Sequence, residues 1–417
     1  MSGRASTAGA QPPVGAQAMG SQSALRLANR SHVVHTIKQF GGLTQVELAE
    51  ATGLSAASIS TIVRELLAAG VVDTATTTRS GRRAQMVTLA RRMGLAAGVL
   101  VGQRHLRMVL GDFTHEVVAT HSLPLPHEHR ADTTLDRVAL LLVDMVERVG
   151  SSLDEMVGIG LGVPAPVEES TGMISVNGLM PGWEGVHVGQ VLAKRLGRPV
   201  HVDNDANLGA LAEATLGAAR DYADSIFIRA SHGTGAGIVI NGRLHRGFAG
   251  TAGEIGHVQV DPQGPVCRCG SRGCLDAVVG GNALLEPLRT SHGALTLRDV
   301  VSRTLAGDRG CAHVVADAGA TIGRVAAGLG AAFNPQCIVV GGELAETGEV
   351  LLGPLRDEVR RRVLHNRIAP LEVVPAALGQ QAEVMGALVH ALQSTTVPLT
   401  FEENELPASS QEGGEAR

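Results

Sequence analysis

Aromatic side chains are scarce in this chain of 417 residues, since Phe, Tyr and Trp together supply only 2% of them. Leu, Val, Ile and Ala must therefore form most of the interior. Five cysteines are too few for a disulfide scaffold. No uninterrupted apolar run reaches about 18 residues, which excludes a membrane-spanning helix, and residues 1–17 lack the apolar stretch of a signal peptide. We expect a cytoplasmic protein with no membrane partner.

Charge is distributed unevenly along the chain. Residues 1–93 contain ten Lys/Arg against four Asp/Glu, whereas the remainder contains 25 against 36. A basic N-terminal unit on an acidic body is typical of a nucleic-acid-binding head; a chance excess in a short segment is the alternative. The length predicts two or three folding units, because domains average roughly 150 residues.

Both ends of the chain have compositions typical of disorder. Residues 1–22 are rich in Gly, Ala, Ser, Gln and Pro, which predicts a disordered arm. Residues 396–417 contain five glutamates and few apolar groups, which predicts a disordered acidic tail. The folded units then cover residues 23–93 and 94–395.

Three helices and a hairpin are predicted between residues 31 and 92. Thr44 and Glu47 form a capping box that starts the second helix, Gly53 supplies the turn that ends it, and Ser55 caps the third. The third helix has one apolar stripe, at Ile59, Ile62, Val63, Leu66 and Leu67. The other predicted elements are a first helix at residues 31–40 and β-prone stretches at 71–74 and 85–89.

This order of elements resembles a winged helix-turn-helix, in which the third helix enters the major groove of DNA and the hairpin forms a wing. Small polar residues on the exposed face of that helix suit contact with base edges. The predicted DNA contacts are Ser55, Ala57, Ser58, Ser60, Thr61 and Arg64 in the helix, and Arg79, Arg82 and Arg83 in the wing. A purely structural helix-turn-helix and a solvated basic hairpin are the alternatives.

Apolar strands alternate with helical stretches from about Ala96 onward, and Gly-rich turns follow many of the strands. The predicted strands lie at residues 98–101, 157–163, 199–202, 225–229 and 337–340. This alternation predicts an α/β architecture with ligand-binding loops at the strand ends.

Three patterns in the body can bind a ligand or a metal. His257, Cys267, Cys269 and Cys274 supply one imidazole and three thiolates, which match a tetrahedral, fully ligated structural zinc site; three free thiols are the alternative. The Asn-Asp-Ala-Asn run at 204–207 can accept a proton from a sugar hydroxyl, or it can simply cap a helix. The Gly-rich run at 231–237 exposes backbone N–H groups that can hold phosphate, although such turns are common.

Taken together, these motifs resemble the ROK family of repressors, open reading frames and kinases over residues 31–393. The motifs that carry the resemblance are Asn204-Asp205-Ala206-Asn207, Ser231-His232-Gly233-Thr234-Gly235-Ala236-Gly237, Gly253-Glu254-Ile255-Gly256-His257, and Cys267-Arg268-Cys269-Gly270-Ser271-Arg272-Gly273-Cys274. A winged helix-turn-helix before this body is typical of ROK transcriptional regulators and is absent from ROK sugar kinases. The resemblance implies a two-lobed, actin-like ATPase fold of the ribonuclease H type, and homodimers or homotetramers.

The resemblance also implies roles for individual residues. Sugar would be bound by Asn204, Asp205, Glu254, His257 and Asp276, with Asp205 at the position of the base in active kinases. Zinc would be bound by His257, Cys267, Cys269 and Cys274, and the vestigial phosphate loop would be Gly233, Thr234 and Gly235. Asp276 stands where the family usually has Glu, and its shorter side chain favours a ligand other than glucose.

One departure from the family decides the predicted function. ROK kinases begin the body with a D-x-G-x-T turn that holds ATP phosphates and metal, but here Leu100 stands in place of the carboxylate and Arg104 in place of the hydroxyl. Leu cannot orient hydrated Mg²⁺, which needs oxygen ligands, and phosphoryl transfer depends on that positioning. Alternatively, Arg104 binds a phosphate directly. Neither ATP nor Mg²⁺ is expected as a cofactor.

We therefore predict a one-component regulator without kinase activity, a repressor that binds a palindromic double-stranded DNA operator and a sugar or phosphosugar effector. A helix near residues 383–392 should pack on the first lobe and move with it. The alternatives are a ROK sugar kinase with an appended DNA-binding head, and a head that mediates only protein contacts.

Overall fold

The computed structural model describes residues 21–79, 82–90, 93–126, 128–168, 171–174, 179–364 and 369–395. Residues 1–20 of the predicted arm, the predicted tail at 396–417, and the wing tip at Ser80 and Gly81 lie outside the described residues. Ser21 and Gln22, which the prediction placed in the arm, instead belong to the first helix. None of the helices in the described part of the chain has the length and hydropathy that crossing a membrane requires.

The N-terminal head contains three helices and a three-stranded sheet. Its elements are α1 (Ser21–Phe40), β1 (Leu43–Thr44), α2 (Gln45–Thr52), α3 (Ala56–Ala68), β2 (Val72–Arg79) and β3 (Arg82–Leu89). The strand order is β1-β3-β2, and both neighbouring pairs are antiparallel. The predicted winged helix-turn-helix is confirmed. Its hairpin strands are longer than predicted, because cross-strand pairing continues without interruption to Arg79 and Arg82.

Side-chain caps set the helix ends in the head. Thr44 Oγ1 accepts a hydrogen bond from Glu47 N at 3.3 Å, and Glu47 Oε2 accepts one from Thr44 N at 2.7 Å. Gly53 ends α2 in the left-handed conformation, at φ 69°. Ser55 Oγ accepts a hydrogen bond from Ser58 N at 3.1 Å and so starts α3. The predicted capping box and both predicted helix boundaries are confirmed.

The buried stripe of α3 is one residue shorter than predicted. Ile59, Ile62, Val63 and Leu66 are buried, but Leu67 is 44% exposed. Consecutive helical residues are about 100° apart around the axis, so Leu67 lies beyond the buried face, on the side towards solvent. The assignment of Leu67 to the stripe was wrong.

The first lobe of the body is built on a five-stranded sheet in the order β10-β7-β4-β5-β6. Its elements are β4 (Leu95–Val101), β5 (His105–Gly111), β6 (Val117–Pro124), α4 (Ala131–Arg148), β7 (Met156–Val163), the short pair β8 (Val167–Glu168) and β9 (Met173–Ile174), α5 (Val188–Leu196), β10 (Val200–Asn204) and α6 (Asp205–Leu216). Strands β4, β5 and β6 are antiparallel, whereas β7 and β10 continue the sheet in parallel.

The second lobe repeats this plan with the order β13-β12-β11-β14-β15. Its elements are β11 (Ser225–Ala230), β12 (Thr234–Ile240), β13 (Arg243–His245), α7 (Leu275–Val279), α8 (Gly281–His292), α9 (Leu297–Leu305), α10 (Arg309–Phe333), β14 (Cys337–Gly341), α11 (Glu349–Arg362), β15 (Glu372–Pro375) and α12 (Ala382–Ser394). Again three antiparallel strands precede two parallel ones. This duplication is the two-lobed, actin-like α/β architecture that was predicted.

Helix α12 comes last among these elements but packs on the first lobe, as predicted for the C-terminal helix. Two glycines allow its close approach. A Cβ atom on Gly160 of β7 would lie 1.8 Å from the carbonyl oxygen of Ala387, and one on Gly386 would lie 1.8 Å from that of Leu208 in α6. Only glycine fits at these positions, so α12 contacts the sheet and α6 backbone to backbone.

The head and the first lobe share one apolar core, and α12 is part of it. The buried residues that these two helices contribute are Val33, Val34 and Ile37 from α1, and Val384, Met385, Leu388, Ala391 and Leu392 from α12. Two hydrogen bonds reinforce the contact, since Lys38 Nζ donates to the carbonyl of Thr395 and Gln393 Nε2 donates to the carbonyl of Gln39 at 3.2 Å. Helix α12 therefore contacts both the first lobe and the head.

Candidate functional site

The predicted ligand residues meet in one small cavity between the lobes, with a volume of about 60 Å³. Its lining includes all the residues predicted to bind sugar or to form the phosphate loop: Asn204, Asp205, Gly233, Thr234, Gly235, Glu254, His257 and Asp276. Leu100, Arg104 and Arg229 also line it. The strand ends of both lobes converge here, which brings together residues that are far apart in the sequence.

Asn204 caps α6, as the alternative interpretation of its motif stated. Its Oδ1 accepts hydrogen bonds from Ala206 N at 2.8 Å and Asn207 N at 3.3 Å. Its Nδ2 lies 3.5 Å from Glu254 Oε1. Because the cap fixes the orientation of the amide, Asn204 presents a donor towards a carboxylate of the same cavity. Capping and ligand binding are therefore compatible roles.

Asp205 is buried, at 5% exposure, beside an arginine of the opposite lobe. Arg229 Nε lies 3.5 Å from Asp205 Oδ2 and 2.9 Å from Glu383 Oε1 of α12. Among the described residues, Asp205 Oδ2 accepts no hydrogen bond. Burial raises the pKa of Asp205, and the Arg229 guanidinium opposes that rise. This oxygen can accept a hydrogen bond from a ligand hydroxyl, since buried polar atoms are rarely left unsatisfied.

Glu254 and His257 lie on the loop that leads to the cysteine cluster. Burial, assisted by Asp205 and Asp276, raises the pKa of Glu254 to about 7. His257 Nε2 lies 4.0 Å from Glu254 Oε2, whereas its Nδ1 lies 3.6 Å from Cys267 Sγ. The two ring nitrogens thus face different partners.

Asp276 ties the Gly-rich loop to the cysteine cluster. Its Oδ1 accepts a hydrogen bond from Thr234 N at 2.6 Å, and its Oδ2 lies 3.5 Å from an Arg268 amino group. Gly235 pairs with Arg229 in the antiparallel ladder of β11 and β12. The Thr234 N–H, expected to be available for phosphate, is therefore already bonded to a carboxylate.

His257, Cys267, Cys269 and Cys274 form one cluster in which the four ligand atoms lie within 4.8 Å of one another. The distances fit zinc. Ligand bonds of about 2.3 Å to sulfur and 2.0 Å to nitrogen imply edges of about 3.8 Å between sulfurs and about 3.5 Å between sulfur and nitrogen in a tetrahedron. Cys269 Sγ and Cys274 Sγ lie 3.7 Å apart, and Cys267 Sγ lies 3.6 Å from His257 Nδ1.

The predicted DNA contacts of α3 lie on its outer surface. Ser55, Ala57, Thr61 and Arg64 are exposed, and Ser58 and Ser60 are half-buried. In the wing, Arg83 is exposed, and the backbones of Arg79 and Arg82 pair at the end of the hairpin. The head thus presents small polar residues and positive charge away from its core.

Sequence reasoning missed two charged residues of the cleft. Arg229 lies inside an apolar strand, and Glu383 lies 154 residues further on at the start of α12. Glu383 belongs to a helix that was predicted to pack on the first lobe. That prediction did not indicate that Glu383 pairs with Arg229. A charged residue within a buried strand was the one available signal for Arg229, since such residues are rarely buried without a partner.

Two family models match this chain, one in the body and one in the head. Residues 96–394 match the model of the ROK family. The chain belongs to the ROK family. Residues 28–84 match the model of the MarR family, so a DNA-binding type of head precedes the ROK domain. The prediction of a ROK-type transcriptional regulator is confirmed.

Two relatives are transcriptional regulators by name. The chain is 30% identical over 387 residues to the DNA-binding transcriptional dual regulator NagC of Escherichia coli strain K12, covering 89% of this chain and 94% of that protein. It is 26% identical over 371 residues to a xylose repressor of Bacillus subtilis strain 168, covering 88% and 95% respectively.

Two solved structures are similar to this chain over different shares of its length. A ROK family transcriptional regulator, a homolog of the E. coli MLC protein, aligns with a TM-score of 0.71 and 27% identity over 88% of this chain and 97% of its own. A ROK family glucokinase from Streptomyces griseus, in complex with glucose and AMPPNP, aligns with a TM-score of 0.65 and 27% identity over 72% and 100%. The higher coverage by the regulator reflects the head.

Proposed function

We propose that this protein is a sugar-responsive repressor, which binds operator DNA through its head and a sugar between its lobes. The observation that carries the proposal is Asp205 Oδ2, a buried acceptor without a hydrogen-bond partner among the described residues, in a cavity lined by Asn204, Glu254 and His257. A sugar ring offers several hydroxyl donors to such a site. The name of the xylose repressor supports the same class of ligand.

The outer face of α3 reads the major groove in this proposal, and the wing contacts the DNA backbone. The exposed Thr61 and Arg64 support that role. A homodimer or homotetramer would place two heads on the half-sites of a palindromic operator in the cytoplasm.

Helix α12 couples the two sites. Glu383 at its start binds Arg229, which also pairs with Asp205, and Gln393 near its end binds the backbone of the head. A sugar that competes for Asp205 changes the partners of Arg229 and shifts α12. If the sugar binds one arrangement of α12 more tightly and DNA binds the other, then binding of the sugar lowers the affinity of the head for DNA.

Zinc at His257, Cys267, Cys269 and Cys274 has a structural role in this proposal. Four protein ligands leave no open position for water. The metal would hold His257 Nδ1, so that Nε2 stays directed to the ligand side beside Glu254.

The protein has no sugar kinase activity in this proposal. Leu100 is buried where the family's kinases have a carboxylate, and Arg229 neutralises Asp205, the position of the base. Formation of ADP that depends on added sugar, in purified protein with Mg-ATP, would contradict this part of the proposal.

A thermal-shift screen of sugars followed by operator binding tests the proposal. A sugar at 100 times its Kd should add about 2.7 kcal/mol to the free energy of unfolding, and it should release the operator. Asp205→Asn should abolish the response to sugar while operator affinity is retained. Asp317→Asn, which makes the same charge change at an exposed position of α10, should respond like the wild type. The proposal fails if no sugar binds, or if Asp205→Asn responds normally.

A further inference from the structure

A second chamber, of about 360 Å³, adjoins the sugar cavity. Leu100 is part of its lining. The residues that line both spaces are Leu100, Arg104, His105, Arg229 and His232. One ligand can therefore extend from the sugar cavity into the chamber.

Positive charge from both lobes converges on this chamber. The arginines in its lining are Arg104 and Arg107 from the first lobe, and Arg229 and Arg298 from the second. Two carboxylates accompany them, Glu343 and Glu383. The four guanidinium groups therefore exceed the carboxylates by two charges, which favours an anionic ligand.

Two of these arginines differ from the others in their contacts within the described part of the chain. Within the described residues, the side chains of Arg104 and Arg298 form no ion pair and no hydrogen bond, and both are exposed to the cleft solvent. Arg107, by contrast, donates to the side-chain oxygen of Gln380 at 2.6 Å, and Arg229 binds Glu383. The chamber thus combines two anchored cations with two whose side chains form no hydrogen bond or ion pair in the described chain, although Arg298 lies near enough to Glu343 to oppose the rise in the pKa of that carboxyl that burial causes.

His105 also lines the chamber. Burial, followed by the positive charges around it with Arg107 first, lowers the pKa of His105 to about 4. An imidazole in this place stays neutral at physiological pH, so it adds no further positive charge.

The chemistry of the chamber differs from that of a metal-dependent phosphate site. Leu100, which offers no oxygen ligand to a metal, is the cross-strand partner of Arg107. Guanidinium groups bind phosphate oxygens in bidentate fashion and need no metal. The guanidinium groups in this lining can therefore bind an anion without a metal ion.

We propose that the effector is a sugar phosphate, whose ring lies in the cavity at Asp205 and whose phosphate is bound in the adjoining chamber by Arg104 and Arg298. This inference rests on the proposed function, because it names the chemical class of ligand for the same cleft. The phosphate bridges the lobes, since Arg104 belongs to the first and Arg298 to the second.

Isothermal titration calorimetry on the full chain tests this inference. The ligands are hexoses and pentoses, their 1-phosphates and terminal phosphates, inorganic phosphate and ATP. At least one sugar phosphate should bind ten or more times tighter than its parent sugar, which corresponds to about 1.4 kcal/mol. Arg104→Gln and Arg298→Gln should each remove most of that advantage. Because Arg298 lines only the chamber and not the sugar cavity, Arg298→Gln should also leave the affinity for the parent sugar within about threefold. Arg303→Gln, an exposed arginine of the same helix as Arg298 that lies outside the chamber lining, should retain it.

The outcomes separate this inference from the proposed function. If a free sugar binds and releases the operator but its phosphate adds no affinity, the inference is overturned and the proposed function stands. It is also overturned if the advantage persists in the Arg104→Gln, Arg298→Gln double variant, or if ATP or inorganic phosphate binds more tightly than every sugar phosphate. If no sugar binds in either form, the proposed function itself fails.

Discussion

Replacing Glu213 with Ala should destabilise the body strongly, because this carboxylate joins α6 to the segment before α12. Glu213 lies in α6 and is fully buried, at 0% exposure. It accepts three backbone hydrogen bonds, from Ala218 N at 2.7 Å, Ala377 N at 3.1 Å and Leu378 N at 2.9 Å. At about 1.5 kcal/mol for each bond to a charged group, their loss costs about 4 to 5 kcal/mol.

Thermal unfolding followed by circular dichroism measures this cost. With about 2 to 4 °C per kcal/mol for a unit of this size, the Tm should fall by about 10 °C or more. Glu213→Gln should fall between Ala and wild type, since the amide keeps one acceptor but turns an N–H₂ group towards backbone donors. Glu147→Ala, at an exposed position of α4 in the same lobe, should change the stability by about 0.5 kcal/mol at most. A decrease below about 2 °C for Glu213→Ala would refute the reasoning.

Three other measurements address zinc, the wing and the interface between head and body. Cys269→Ser should lose zinc and weaken the response to sugar. Cys337→Ala, outside the cluster, should keep one zinc per chain, as measured by mass spectrometry. Zinc retained in Cys269→Ser would contradict the proposed set of ligands. Replacing Arg82 and Arg83 with Ala should weaken binding to every duplex and reduce the slope of log K against log salt by up to about 1.8, measured by fluorescence anisotropy; an unchanged slope would exclude the wing as a phosphate contact. His115 lies between β5 and β6 and packs against Gly41 of the head, where a Cβ atom would come within 2.3 Å of its Nδ1. Burial lowers the pKa of His115 to about 4, below its unfolded value, so stability should be complete above about pH 6.5 and should fall by about 2 kcal/mol towards pH 5. In His115→Asn that fall should be smaller, and an equal fall in both proteins would show that another group titrates.

Features encoded within a few consecutive residues were predictable from the sequence. Thr44 and Glu47 satisfy each other's backbone groups within one helical turn, and Ser55 does the same for α3. The Cys267 to Cys274 spacing brings three thiols together in one loop. In each case the interacting atoms are neighbours in the chain, so no knowledge of tertiary packing is required.

Features that depend on the packing of distant segments were not predictable in the same way. The Thr234 amide is bonded to Asp276, 42 residues away, so the Gly-rich motif alone suggested a free phosphate loop. Arg229 and Glu383 belong to separate elements of a repeated fold, and only the path of α12 across the first lobe brings them together. Leu67 followed the helical period but lies past the edge of a small core, because the width of the buried face is set by what packs against it.

The position of α12 also has a consequence for biosynthesis. The ribosome releases the head and both sheets before it completes this helix, and domains generally begin to fold in the order of synthesis. Until α12 is made, the apolar surfaces that surround Leu388 and Leu392 in the finished protein stay in contact with water. A nascent chain that stops before Ala382 contains all of α3. It lacks α12, which completes the core shared by the head and the first lobe. The head is therefore synthesised well before the helix that completes the core it shares with the first lobe.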